Sequence, residues 1–135
     1  MADRQYELGD AELEVLKVLW DRGASTVRDV LHTLHEQGRG VAYTTVQTLL
    51  TRLEAKTFVR SYKSDFAFVY RARLTRDRVT RSRLKTLVKQ LYDGAAGPLV
   101  LQLIKNEAFT TDEIGKLQEL IDRLDSEPKT PKKKS

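Results

Sequence analysis

Apolar residues recur at helical spacing through most of the chain, and at a spacing of two in one stretch only. Between Asp10 and Asp21 the positions Leu13, Leu16, Val18, Leu19 and Trp20 predict a first helix, with Gly9 as N-cap, Glu12 at N3 and Gly23 as the stop. Val27, Val30, Leu31 and Leu34 repeat i, i+3, i+4, i+7 and predict a second helix over 27–37, entered through a Thr26–Asp29 capping box. Gly38-Arg39-Gly40 interrupts the chain. A third helix follows over Ala42–Lys56, with Val46, Leu49, Leu50 and Leu53 on one face. From Phe58 to Leu74 the period becomes two: Phe58, Arg60 and Tyr62 alternate with Val59, Ser61 and Lys63. Ser64-Asp65 marks a turn and Phe66, Phe68 and Tyr70 continue beyond it, which predicts a β-hairpin.

Helical spacing then returns. Val79, Leu84, Leu87, Val88 and Leu91 predict a helix over Thr75–Tyr92, broken by the run 93–97. Pro98 suits the first turn of a short, almost wholly apolar helix over Leu99–Ile104. A Thr110–Glu113 capping box opens a last helix carrying Ile114, Leu117, Leu120, Ile121 and Leu124, of which 114, 117, 121 and 124 have coiled-coil-like spacing. The apolar segment Leu99, Val100, Leu103, Ile104 needs burial on all sides, and residues 75–125 are too few to supply a core of their own. A partner chain meets that need; a solitary three-helix subdomain is the alternative. Residues 126–135, SEPKTPKKKS, hold no apolar side chain and read as a disordered basic tail, a solubilising end or a source of non-specific DNA attraction.

The expected fold is therefore mainly α with a small β-hairpin. Residues 1–74 form a winged helix-turn-helix, 75–125 a helical dimerisation domain, and 126–135 the tail. In the third helix the face opposite the apolar stripe carries Thr44, Thr45, Gln47, Thr48, Thr51 and Arg52, with no acid until Glu54. Short hydroxyl and amide side chains can read base edges in the major groove, and an Arg reaches guanine or phosphate. The plainer reading is a Thr-rich surface helix without a ligand. Charge distribution tips the balance. The 135 residues carry a net charge of +5, and residues 42–93 hold 12 Lys and Arg against 4 Asp and Glu, between segments where acids outnumber bases. A basic middle is the footprint of a surface that meets phosphate. At the hairpin tip Lys63 and Ser64 lie among Arg60, Arg71 and Arg73, which suits backbone contact; a hairpin that only closes the core is the plainer reading.

Little else in the sequence suggests chemistry. There is no Cys, so disulfides, thiolate metal sites and Cys nucleophiles are excluded. His32 and His35 can share a helix face but lack a third ligand, and read as surface histidines; no metal and no cofactor are expected. Phosphate-binding and nucleophile-elbow glycine motifs are missing, and the acids are scattered, so the chain is not expected to be an enzyme. The opening MADRQYELGD has no apolar signal-peptide region, and no apolar run approaches a membrane span; a cytoplasmic protein without membrane insertion is expected.

With these elements in place the chain resembles the penicillinase-repressor (BlaI/MecI-type) family of transcriptional regulators, over about Leu8–Leu124. The pieces that carry the resemblance are LGDAELEVLKVLW at 8–20, VAYTTVQTLLTRLEAKTFV at 41–59 and GAAGPLVLQLI at 94–104. The resemblance implies a homodimer that binds inverted-repeat operators and represses transcription, typically of β-lactam resistance genes. It implies DNA contacts at Thr44, Thr45, Gln47, Thr48 and Arg52, and a wing contact near Lys63 and Ser64. Some members carry Lys in place of Thr44 and Arg in place of Gln47, which bears on operator sequence rather than function. Many have Gly in place of Thr57; a left-handed Thr costs energy, so the end of the third helix is expected to adopt another geometry. In antibiotic-responsive members a membrane sensor protease triggers cleavage, which by position falls at Gln102–Leu103, where relatives have Asn-Phe. A copper-responsive branch uses C-terminal cysteines, which this chain lacks.

Sequence-specific repression by a homodimer on double-stranded DNA is the expectation. A winged-helix adaptor that binds protein without specific DNA recognition is the alternative, because a fold does not fix a function.

Overall fold

The computed structural model of the chain describes residues 7–127. Six helices and three short strands follow in the order α1 (Asp10–Arg22), β1 (Ser25–Thr26), α2 (Val27–Glu36), α3 (Tyr43–Ala55), β2 (Val59–Ser64), β3 (Ala67–Ala72), α4 (Arg76–Tyr92), α5 (Ala96–Asn106) and α6 (Thr111–Ser126). The chain divides into two compact units between Leu84 and Lys85, within α4. That division falls later than the 74/75 boundary expected from the sequence. The first turns of α4 belong with the N-terminal unit: Val79 is in its core, and Arg76 lies over the Trp20 ring at 5.2 Å and bonds Asp21 at 2.8 Å.

The N-terminal unit is a winged helix-turn-helix. α1, α2 and α3 meet through Val15, Leu16, Leu19, Val30, Leu34, Val46, Leu50 and Leu53, and Phe58, Val59 and Tyr70 close the core from the sheet side. Gly9 brings no side chain to cap α1, but its N–H donates to Glu12 Oε1 at 2.9 Å, half of the expected box. The Thr26–Asp29 box is complete, with both bonds at 3.0 Å. β2 and β3 form the wing in the register Val59↔Ala72 to Ser64↔Ala67, so the loop is Asp65-Phe66, one residue beyond the expected turn.

A strand not expected from the sequence, β1, adds to the other edge of β3 to give the antiparallel order β1-β3-β2. Gly23, at φ 86°, turns the chain off α1, and Ser25 Oγ donates to Gly23 O at 2.9 Å. Two residues are then extended alongside Val69 and Tyr70 before Thr26 caps α2.

α2 and α3 end in the same way. After α2, Arg39 N–H donates to Leu34 O (2.9 Å) and Gly38 N–H to His35 O (3.0 Å), with Gly38 at φ 85°. After α3, Phe58 N–H donates to Leu53 O (2.9 Å) and Thr57 N–H to Glu54 O (3.0 Å), with Thr57 at φ 69°. Both are Schellman ends. The expectation that Thr57 would avoid the left-handed region is therefore overturned. Two buried anchors, Leu53 and Phe58, flank the turn and hold it in place.

In the C-terminal unit the sequence sets each boundary. Asp93 (φ 52°) and Gly94 (φ 94°) end α4. α5 is longer than the expected 99–104, because Ala96 and Gly97 precede Pro98 within the first turn, where proline's missing N–H costs nothing. α6 opens on the Thr110–Glu113 box, with bonds of 2.9 and 3.1 Å. Neither α5 nor α6 buries a single residue. Of the tail expected over 126–135, residues 128–135 lie outside the described residues, and Ser126 is the last residue of α6.

Candidate nucleic-acid interface

Thirteen residues of α3 separate into two faces. Val46, Leu49, Leu50 and Leu53 are buried, while Thr44, Thr45, Gln47, Thr48, Thr51 and Arg52 are exposed. Thr51 is committed to its own helix, its Oγ1 donating to Gln47 O at 2.9 Å. Among the described residues the side chains of Thr44, Thr45, Gln47 and Thr48 have no hydrogen-bond partner, so their donors and acceptors are free to meet a ligand. The first turn of α3 holds no acid, and its N-cap, Ala42, offers no side-chain bond, which leaves outward-pointing N–H groups.

Arg52 sits at the other end of this face. Its charge helps to hold the Glu12 carboxyl, as does Lys56, whose Nζ lies 2.7 Å from Glu12 Oε1. Burial pushes the Glu12 pKa up, but the Lys56 hydrogen bond, the Gly9 N–H and the charges of Lys56 and Arg52 outweigh it and leave it below 4.5. Glu12 thus anchors the N-terminus of α1 to the C-terminus of α3 and helps set the angle at which α3 is presented. Glu54, the first acid of α3, is turned to the wing: its Oε2 accepts from Ser61 N–H (3.2 Å) and Ser61 Oγ (2.8 Å). Tyr70, the cross-strand partner of Ser61, has its phenol pKa raised by burial, then by Glu54 and Tyr43.

Lys63 and Ser64 are exposed at the end of β2, one step short of the tip expected for them, with the Lys63 ammonium 5.7 Å from the Phe68 ring centre. At the tip Phe66 is 99% exposed.

The sequence reading missed one pair. Arg28, in the first turn of α2, stacks 5.4 Å over the ring of Tyr43, the first residue of α3, and Tyr43 is 39% exposed. A cation in a helix's first turn opposes the macrodipole, and that mismatch was the available signal. The pair extends the polar face of α3 toward α2.

The histidines are accounted for within the fold. His32 Nε2 is 3.3 Å from Glu36, and His35 Nε2 lies 2.8 Å from Val41 O, bridging the turn between α2 and α3. Among the described residues no group of three or more His, Cys, Asp or Glu is placed to hold a metal, and no helix is long and apolar enough to cross a membrane.

A second surface belongs to the C-terminal unit. Val100, Leu103 and Ile104 of α5 and Ile114, Ile121 and Leu124 of α6 are exposed, up to 69% at Leu124, while Leu99 and Leu117 are half-buried. Gln102 and Leu103 lie inside α5, where Asn106 Nδ2 donates to both Gln102 O (2.9 Å) and Gln102 Oε1 (2.8 Å).

Comparison with known proteins gives the family. The family model described as penicillinase repressor matches residues 8–123. The penicillinase repressor of Staphylococcus aureus is 28% identical over 124 residues, covering 92% of this chain and 98% of that protein. The methicillin resistance regulatory protein MecI of Mammaliicoccus sciuri is 26% identical over 123 residues, covering 91% of this chain and 99% of that protein. Among solved structures, the DNA binding domain of the repressor BlaI is similar at 30% identity and a TM-score of 0.48, over 53% of this chain and 87% of that one. Sharing its family model over nearly the whole described length, the chain belongs to the penicillinase repressor family, a non-enzymatic family of transcriptional repressors.

Proposed function

We propose that the chain is a cytoplasmic, sequence-specific repressor that binds double-stranded DNA as a homodimer on inverted-repeat operators. The carrying observation is the exposed face of α3: Thr44, Thr45, Gln47 and Thr48 with uncommitted hydrogen-bonding groups, Arg52 at one end, and the Arg28–Tyr43 pair at the other. Hydroxyl and amide groups there read base edges, while Arg52, Lys63 and Ser64 fix register on phosphate. An adaptor surface would tolerate acids; this one has none before Glu54, which is spent on the wing.

The C-terminal unit supports the dimer. No residue of α5 or α6 is fully buried within one chain, and leaving Val100, Leu103, Ile104, Ile114, Ile121 and Leu124 in water is unfavourable by about 25 cal/mol per Å² of apolar surface. A second copy covers these faces. Two copies of α3 then address successive major grooves, with half-site centres about 10 bp apart or a multiple of that. The regulated genes, on this reading, include β-lactam resistance genes, as the names of the relatives suggest. Induction by a membrane sensor protease is read from the same resemblance, and the Gln102–Leu103 bond lies within α5, so that helix opens locally before it is cut.

Hydroxyl-radical footprinting of the purified chain on the DNA upstream of its own gene tests this. The expected result is two protected tracts related by a dyad on one face of the duplex. Uniform protection without a dyad, or none, refutes it.

A further inference from the structure

The outer face of the wing gathers arginines that form no ion pair among the described residues. Strand alternation puts Arg60 and Arg71 on the face opposite Ser61 and Tyr70. Ser61 bonds Glu54 of α3 and Tyr70 is buried, so the two arginines point away from α3. They are direct cross-strand partners, a like-charge arrangement that destabilises an antiparallel pair. Arg73 and Arg78 join them around a cavity of about 480 Å³, lined otherwise, among the described residues, by Ala72 and Leu74. None of the four forms an ion pair with an acid among the described residues; Arg73 donates only to Thr57 O, at 3.4 Å. Of the other exposed arginines of the N-terminal unit, Arg22, Arg39, Arg76 and Arg81 are paired with a carboxylate, whereas Arg28 stacks on Tyr43 and Arg52 and Arg83 stand apart from this cavity. Four unpaired guanidiniums around one concavity are a cost to the fold that a bound polyanion removes, and guanidinium forks match phosphate oxygens two at a time.

We propose that Arg60, Arg71, Arg73 and Arg78 form a polyphosphate-binding site separate from the face of α3. The ligand carries at least two phosphoryl groups, because a single phosphate engages two guanidiniums and leaves the other two unpaired. Such groups come from a free polyphosphate or from the duplex backbone. This inference does not depend on α3 reading DNA.

Inorganic triphosphate is the probe, titrated calorimetrically into the full chain in metal-free buffer containing EDTA. Sulfate at matched ionic strength is the control. Saturable binding at one site per chain is expected, at least tenfold tighter than sulfate. Arg60→Gln/Arg71→Gln should lose binding at least tenfold. That double variant removes a like-charge pair, so its thermal midpoint without ligand should equal or exceed wild type, which separates loss of the site from loss of the fold. Arg52→Ala should keep triphosphate binding. Triphosphate bound alongside operator duplex identifies a free polyphosphate as the occupant, and displacement by duplex identifies the DNA backbone. Absence of saturable binding, or equal binding by the double variant, overturns the proposal.

Discussion

Thr57 is held at φ 69° by the same Schellman hydrogen bonds that Gly38 makes at φ 85° after α2, so the two helix ends form an internal comparison. Left-handed backbone costs an L-residue about 1–2 kcal/mol, and a β-branched side chain lies toward the upper end of that range. Thr57→Gly removes the strain but adds about 0.5–1 kcal/mol of unfolded-chain entropy. It also removes the hydroxyl bond to Lys56 O, which is exposed and of little net value. The balance is a stabilisation of about 0.5–1 kcal/mol, which for a domain of this size is a rise of about 4 °C in thermal midpoint. Thr57→Ala is the control: it keeps Cβ and therefore the strain, and its midpoint should stay within about 1 °C of wild type. Thermal and urea unfolding followed by circular dichroism give both numbers. If Thr57→Gly is no more stable than wild type, or Thr57→Ala gains as much, strain at this position is not the cause and the reasoning fails.

Other substitutions probe the remaining elements. Arg52→Ala should weaken operator binding and flatten the log–log salt dependence by about 0.9 for each phosphate that Arg52 neutralises, read by fluorescence anisotropy across a salt series. Glu12→Gln should cost about 1 kcal/mol at neutral pH, a modest figure because Lys56 is partly exposed. The folded pKa of Glu12 lies below 4.5, so its stabilisation is full above that value and is lost as pH falls through the lowered one. Unfolding curves for wild type and Glu12→Gln should therefore converge in acid, and a constant gap would show that charge is not responsible. Ile121→Asp, on the exposed apolar face of α6, should give a monomer by sedimentation equilibrium while leaving the helical signal of the N-terminal unit intact. A variant that remains dimeric would place the dimer surface elsewhere.

Helix periodicity and capping made most of this fold legible. The Thr26–Asp29 and Thr110–Glu113 boxes fixed the starts of α2 and α6, because both partners of each bond lie three residues apart in sequence. β1 was not legible: two residues cannot show a period, and they are extended only because β3 offers an edge. The left-handed Thr57 ran against local preference because Leu53 and Phe58 are both fully buried and dictate the turn between them. Within the site, the exposed residues of α3 could be read from the stripe they oppose. Arg28 over Tyr43, and the commitment of Glu54 to Ser61, arise from tertiary packing between elements and leave no periodic trace.

The central claim is that the threonine face of α3 reads base sequence. Its most direct test is the affinity of Thr45→Ala/Thr48→Ala for operator duplex and for a scrambled duplex at one salt concentration. Removing the two hydroxyls should weaken operator binding by about 1–3 kcal/mol, roughly 5- to 150-fold, and leave scrambled-duplex binding unchanged, because the phosphate-binding cations are intact. Equal affinity of wild type and variant for the operator would contradict the account.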